Sequence, residues 1–170
     1  MKSVLRSIKP YWLYLIIVGK KTIEVGKNFP KADDWNKIVY LYCSQDIASF
    51  KRIPAKDCGW MKKYLGKVAC RFFCDKNYDI TPHYDIPSFA NQYICGWEYD
   101  KEFDCLTHDE LLAYLKGQKG YGWHVTDKCA IFLELKHFSK VGFGHLVPLK
   151  RPPQSWMYVE LISDIGGCRG

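Results

Sequence analysis

The residues with the clearest chemical potential lie in Gly19-Lys20-Lys21-Thr22-Ile23-Glu24-Val25, where Lys21 and Glu24 stand three positions apart behind an apolar run. An ammonium in such a place can hold a phosphate or activate a nearby hydroxyl. A carboxylate can accept hydrogen bonds from a base edge or act as a general base. Thr22 lies between them, and its hydroxyl is a candidate nucleophile beside such a base. Surface pairs of opposite charge are common and contribute little, so this pair matters only if the fold gathers other groups around it. Lys9 is one, because it precedes Pro10 at a helix start, and helix N-termini attract anions. His124 follows Tyr121-Gly122-Trp123 and is a candidate acid, base or base-edge contact, with Trp123 free to stack. Gln154 and Ser155 can recognise base edges, and Trp156 can stack on a base.

Positioning these groups requires strands and helices at defined places. Residues 2–8 read as a first strand, and Pro10 opens a helix over Tyr11 to Val18 that Gly19 closes. Its broad apolar face, with Trp12, Leu13, Leu15, Ile16 and Ile17, predicts a well-buried helix. Lys21 to Val25 follows as a strand. Alternation puts Lys21, Ile23 and Val25 on one face and Thr22 and Glu24 on the other. Lys21 and Glu24 therefore share a cleft only if the strand end curls. Strands are also predicted over 37–44, 66–75, 129–138 and 155–162, and an irregular, basic stretch with room for short helical turns over 49–65. Tyr78 to Asp100, rich in Pro, Tyr and Asn, reads as an insertion over the surface. The box Thr107-His108-Asp109-Glu110 starts a second helix that turns Leu111, Leu112 and Leu115 inward and ends at Gly117. Five or six strands and two main helices without a βαβ rhythm predict an α+β fold with a mixed or antiparallel curled sheet. One domain is expected over 1–165, with 78–120 as an insertion bearing one helix and 166–170 as a frayed tail.

Composition narrows the function classes. A net charge of +7 favours polyanionic partners, while the absence of a lysine tail or arginine tract argues against a grip on long duplexes. Six Trp and twelve Tyr exceed what a core of this size requires, and exposed aromatics can stack on bases. The eight cysteines come without a secretory leader, so they read as reduced thiols of a cytoplasmic protein. The longest apolar run, residues 11–18, is too short to span a bilayer. No Cys-x-x-Cys pair occurs, and although Cys70 and Cys74 could join Cys58, His83 or Cys95 in a zinc site, the expectation is no metal and no cofactor. Nucleophile elbows, phosphate-binding Gly loops and dinucleotide fingerprints are absent.

Three stretches resemble the ASCH domain family in its longer phage- and prophage-type form. They are Ser7-Ile8-Lys9-Pro10 with Gly19 to Val25, then Tyr121 to His124, then Arg151 to Trp156. Gly19, Lys21 and Glu24 match the family motif Gly-x-Lys-x-x-Glu-x-Arg, and its arginine falls at Gly26. Lys20, Lys27 or Arg6 could substitute only as point charges, since a bidentate guanidinium clamp is a matter of geometry. The resemblance implies a PUA-like β-barrel whose cleft is lined by the motif strand and serves RNA-linked processes. Three functions are then open. One is binding of single-stranded RNA or a modified nucleotide, with Lys9 and Lys21 on phosphate, Glu24 and Gln154 on the base, and Trp123 or Trp156 stacking. The second is hydrolysis of an acylated nucleoside such as acetylcytidine, or of RNA, through Lys21, Thr22, Glu24 and His124. In short members that remove acetyl groups, a lysine matches Lys21, but their threonine nucleophile falls at Glu24. The third is a phage module that engages a host protein and has lost ligand chemistry.

Overall fold

The computed structural model describes residues 1–31, 35–83, 92–95, 105–142 and 145–162. In chain order the elements are β1 (Ser3–Ile8), α1 (Pro10–Ile17), β2 (Ile23–Gly26), β3 (Ile38–Cys43), α2 (Ile47–Phe50), α3 (Ala55–Lys62), β4 (Val68–Phe73), β5 (Asn77–His83), β6 (Gln92–Cys95), α4 (His108–Leu115), β7 (Gly120–His124), β8 (Thr126–Leu133), β9 (Phe138–Lys140) and β10 (Trp156–Leu161). The fold is α+β, as the sequence predicts, but the sheet is not closed into a barrel. Six strands form one sheet in the order β8-β4-β3-β1-β10-β9, and four form a second in the order β2-β7-β5-β6. Closure needs every strand to find two neighbours. Here β8 and β9 end the large sheet, and the motif strand β2 pairs with β7 instead of joining it. The large sheet is mixed: β1 runs parallel to β3 and antiparallel to β10.

Both faces of the large sheet are covered. Val4, Ile8, Leu41 and Phe72 pack with Leu13 and Ile16 of α1 and with Trp123 of the second sheet. On the opposite face Leu5, Tyr40, Val68, Phe138 and Val159 form a separate cluster. Ile23, Val25 and Ile80 of the second sheet bury themselves against Leu111 and Leu115 of α4. Leu112, also expected inside, is half-buried at the edge of that cluster. The capping box forms as predicted: the Thr107 hydroxyl accepts from the Glu110 N–H, and the Glu110 carboxylate accepts from the Thr107 N–H.

Several elements depart from the sequence expectation. The helical turns allowed over 49–65 are two regular helices: α2, which begins ahead of that stretch and is capped by Asp46 accepting from the Ser49 N–H, and α3, which begins after Pro54. Part of the expected surface insertion is sheet instead, because β5 pairs with β6 and β7. The rest of it, with Tyr84, Phe89 and Trp97, lies outside the described residues, as does the tail expected to fray. The strand expected over 129–138 is two, split by a 3-10 turn at Leu135–His137. Strand β7 was hidden by its glycines. A Cβ on Gly120 would lie 2.6 Å from the Leu115 side chain and 3.2 Å from the Gly26 carbonyl oxygen, so α4 and β2 close on β7 only because Gly120 has none. Among the described residues, no helix is long and apolar enough to cross a membrane.

Candidate functional site

Alternation on β1 places Arg6 between Val4 and Ile8, on the face that packs under α1. A guanidinium thus occupies a core position, and Arg6 is only 3% exposed. Its Nη2 lies 3.1 Å from Glu24 Oε1 and donates to the Val25 carbonyl at 2.6 Å. Among the described residues its buried Nε and Nη1 have no hydrogen-bond partner. Glu24 reaches it because Ile23 and Val25 turn to the α4 side of β2, leaving Glu24 on the opposite face.

The chain leaving α1 brings in the lysine. The Leu15 carbonyl accepts from both the Lys20 and the Lys21 N–H, at 2.9 and 3.0 Å, which turns the backbone before β2 begins at Ile23. Lys21 is therefore not a strand residue, and the alternation that separated it from Glu24 does not apply. Its Nζ lies 3.5 Å from Glu24 Oε2 and 5.3 Å from the centre of the Trp12 ring, and the side chain is buried.

These groups line a cavity of about 770 Å3, within the range of small-ligand sites. Arg6, Lys21 and Glu24 are its buried charged members; Trp12, Gln154 and Ser44 also face it. The Ser44 hydroxyl is buried and has no hydrogen-bond partner among the described residues. Two exposed cations stand on the same cavity. Lys9 pairs with Asp46 at 3.2 Å, whose carboxyl is held below its usual range by the Ser49 N–H and, against some desolvation, by Lys9. Arg52 pairs with Glu110 of α4 at 3.1 Å and lies over the rings of Tyr11 and Trp12, 4.1 and 4.8 Å from their centres. The lining thus combines four cations (Arg6, Lys9, Lys21 and Arg52), three carboxylates (Glu24, Asp46 and Glu110) and an aromatic face.

Of the residues singled out from the sequence, Lys9, Lys21, Glu24 and Gln154 meet at this cavity. The others do not. Trp123 is fully buried, packed 4.6 Å from Phe29 and 6.2 Å from Trp156 between ring centres, so it offers no face to a base. Trp156 is half-buried against Trp123 and Tyr158 and lies off the cavity. Ser155 is exposed outside it, with its carbonyl accepting from the Ser7 N–H. Thr22 contributes its carbonyl to the Val125 N–H and is not a lining residue. His124 is also outside, with Nδ1 2.6 Å from Asp75 Oδ1. Burial pushes the Asp75 carboxyl up, but the hydrogen bond and charge of His124 outweigh it and leave Asp75 below its usual range. Sequence reasoning missed Trp12, Ser44 and Arg52, and took Arg6 only as a point charge. The signal for Arg6 was present in Val4-x-Arg6-x-Ile8, a charged residue at an apolar beat of a strand.

Among the described residues no three His, Cys, Asp or Glu side chains are grouped to hold a metal ion. Burial pushes the thiols of Cys43, Cys70 and Cys74 up to about 12, so at neutral pH they are protonated core groups.

No protein-family model and no curated protein matches the chain. Solved structures do match. ASCH from Zymomonas mobilis superposes with a TM-score of 0.58 at 15% identity, over 93% of this chain and 87% of that one. A serine-to-alanine variant of that protein gives 0.57 at 15% identity, covering 93% and 88%. A tyrosine-to-phenylalanine variant gives 0.59 at 14% identity, covering 94% and 91%. The likeness is one of architecture, and this chain has the fold of an ASCH domain.

Proposed function

We propose that the protein binds single-stranded RNA or a nucleotide in the cavity between α1, α2, α4 and the motif strand. The observation that carries this reading is the buried Arg6–Glu24–Lys21 group lining a space of about 770 Å3. Among the described residues Arg6 keeps two buried donors without an acceptor, and a ligand edge with hydrogen-bonding groups would supply one. The gradient of exposure gives the orientation. The buried charges favour the base, while Lys9 and Arg52, 63% and 46% exposed, favour the phosphate. Trp12 takes the stacking role that the sequence assigned to Trp123 or Trp156. A base can enter such a cavity only from a single strand, a loop or a free nucleotide.

Hydrolysis of an acylated nucleoside or of RNA is a second reading, favoured by the 3.5 Å Lys21–Glu24 contact inside the cavity. It keeps two of its four expected groups, because Thr22 and His124 lie elsewhere; water activated by Glu24 would then be the nucleophile.

The test is binding of a fluorescent single-stranded RNA oligomer and of cytidine monophosphate to the wild type, Lys21→Met and Glu24→Gln at low and moderate salt. Affinity should fall by about tenfold or more in both variants, as expected for a buried charged contact. It should weaken with salt in all three. Unchanged affinity in folded variants overturns the assignment. Loss of acetylcytidine or RNA over time, abolished in Glu24→Gln, would select the hydrolytic reading.

A further inference from the structure

We infer that Arg6 is the residue that recognises an acceptor oxygen of the ligand, and that glycine at position 26 is the condition for its doing so; the inference rests on the nucleotide reading above. Gly26 ends β2 on the same face as Glu24. A Cβ built there would lie 2.6 Å from Arg6 Nη1 and 2.8 Å from Trp123 Nε1, both closer than real contacts allow. The guanidinium of Arg6 therefore stands where a side chain at 26 would have to begin. It arrives from β1 in the other sheet and is fixed through Nη2 by the Glu24 carboxylate and the Val25 carbonyl. The ASCH motif carries an arginine at this point of the motif strand. Here the sequence places glycine on that strand and an arginine on its neighbour in space.

A purely structural role leaves too much unexplained. An arginine holding two sheets together would have its planar fork of donors satisfied. Among the described residues this one leaves Nε and Nη1 buried with no acceptor. An unmet buried donor is destabilising. Arg6 is 3% exposed and lines the cavity, so a ligand oxygen entering there offers the missing acceptor. A base carbonyl and a phosphate oxygen share that chemistry. Either way Arg6 determines which ligands are held, and Gly26 keeps its place open.

The experiment titrates cytidine and cytidine monophosphate into the wild type, Arg6→Met, Gly26→Ala, Gly26→Arg and the exchanged double variant Arg6→Ala/Gly26→Arg, with a thermal melt of each. Arg6→Met should weaken binding by about tenfold or more. Equal loss for both probes identifies the base carbonyl, and loss confined to the monophosphate identifies the phosphate. Gly26→Ala should lose affinity with Arg6 still present, and Gly26→Arg alone should bind no better than wild type. The exchanged variant still sets a Cβ 2.8 Å from Trp123 Nε1, so it should regain only part of what Arg6→Met loses. A folded Arg6→Met that binds both probes as the wild type does overturns the inference while leaving the nucleotide reading standing. If Arg6→Met does not fold, unchanged affinity in Gly26→Ala overturns it instead. A wild type that binds neither probe nor single-stranded RNA removes the nucleotide reading itself.

Discussion

Two carboxylates in this protein each hold two cations, in opposite surroundings. Glu134 lies on the surface with Lys67 at 2.9 Å and Lys136 at 2.8 Å, and its side chain is 42% exposed. Glu24 lies in the cavity with Arg6 at 3.1 Å and Lys21 at 3.5 Å, and its side chain is 9% exposed. The tighter geometry is outside, where water already solvates the charges and the pairs are worth least. The looser geometry is inside, where desolvation is severe and good pairing would be most needed. A buried group tuned for stability alone would close up. In the cleft, Arg6 instead keeps two buried donors that no described residue accepts, where the proposed ligand would complete the set.

The contrast can be broken by removing each carboxylate. Glu24→Ala should have the largest effect, because two buried cations lose their counter-charge. Unfolding free energy should drop by about 3–5 kcal/mol, measured by urea denaturation. A drop comparable to that of a surface substitution would mean that water already fills the cleft and the contrast is empty. Arg52→Ala tests the intermediate case, a half-exposed cation on two aromatic rings beside the same cavity. It should lower stability by about 0.5–1 kcal/mol and weaken RNA binding more steeply at low salt than at high salt. Glu134→Gln should be the mildest. The Lys136 and Lys67 ammoniums hold the Glu134 carboxyl down to about 2 from an ordinary 4.5. A carboxylate whose folded value is depressed adds stability that is fully present above its unfolded value and is lost as pH falls to the folded one. The Glu134 contribution should therefore disappear between about pH 4.5 and 2. Melting curves of wild type and Glu134→Gln should converge across that window, and should also converge at about 1 M salt, where exposed charges are screened.

The frame of the fold was legible where local rules acted alone. The Pro10 helix start, the Thr107–Glu110 box and the apolar strands over 38–43 and 68–73 all appear where the sequence puts them. Strand β7 was not legible, since two glycines in five residues read as a loop and only the approach of Leu115 explains Gly120. Sheet closure was an inference from family resemblance, and the pairing of β2 with β7 overrode it. In the site, Lys21 and Glu24 were found by motif, but the turn that unites them depends on the Leu15 carbonyl taking two N–H groups. The aromatic was misplaced for a similar reason. Trp12 read as core because its helix is apolar, and Trp123 was given the stacking role beside the candidate His124. Which face of α1 borders the cavity is a property of α2 and α4, far along the chain.

The pairing of β1 with β10 at the middle of the large sheet has a consequence for how the protein is made. Ser3 is matched with Val159, 156 positions later. At ordinary ribosomal speeds of about 5–20 residues per second, the edge of β1 waits roughly 10–30 s for that partner. Gln154, one wall of the binding space, emerges only just before it. A nascent chain therefore carries the arginine-bearing strand half-paired and sticky for most of its synthesis. Chaperone dependence, aggregation on over-expression and complete loss of function on premature termination ahead of Trp156 are the expected marks of that order of assembly.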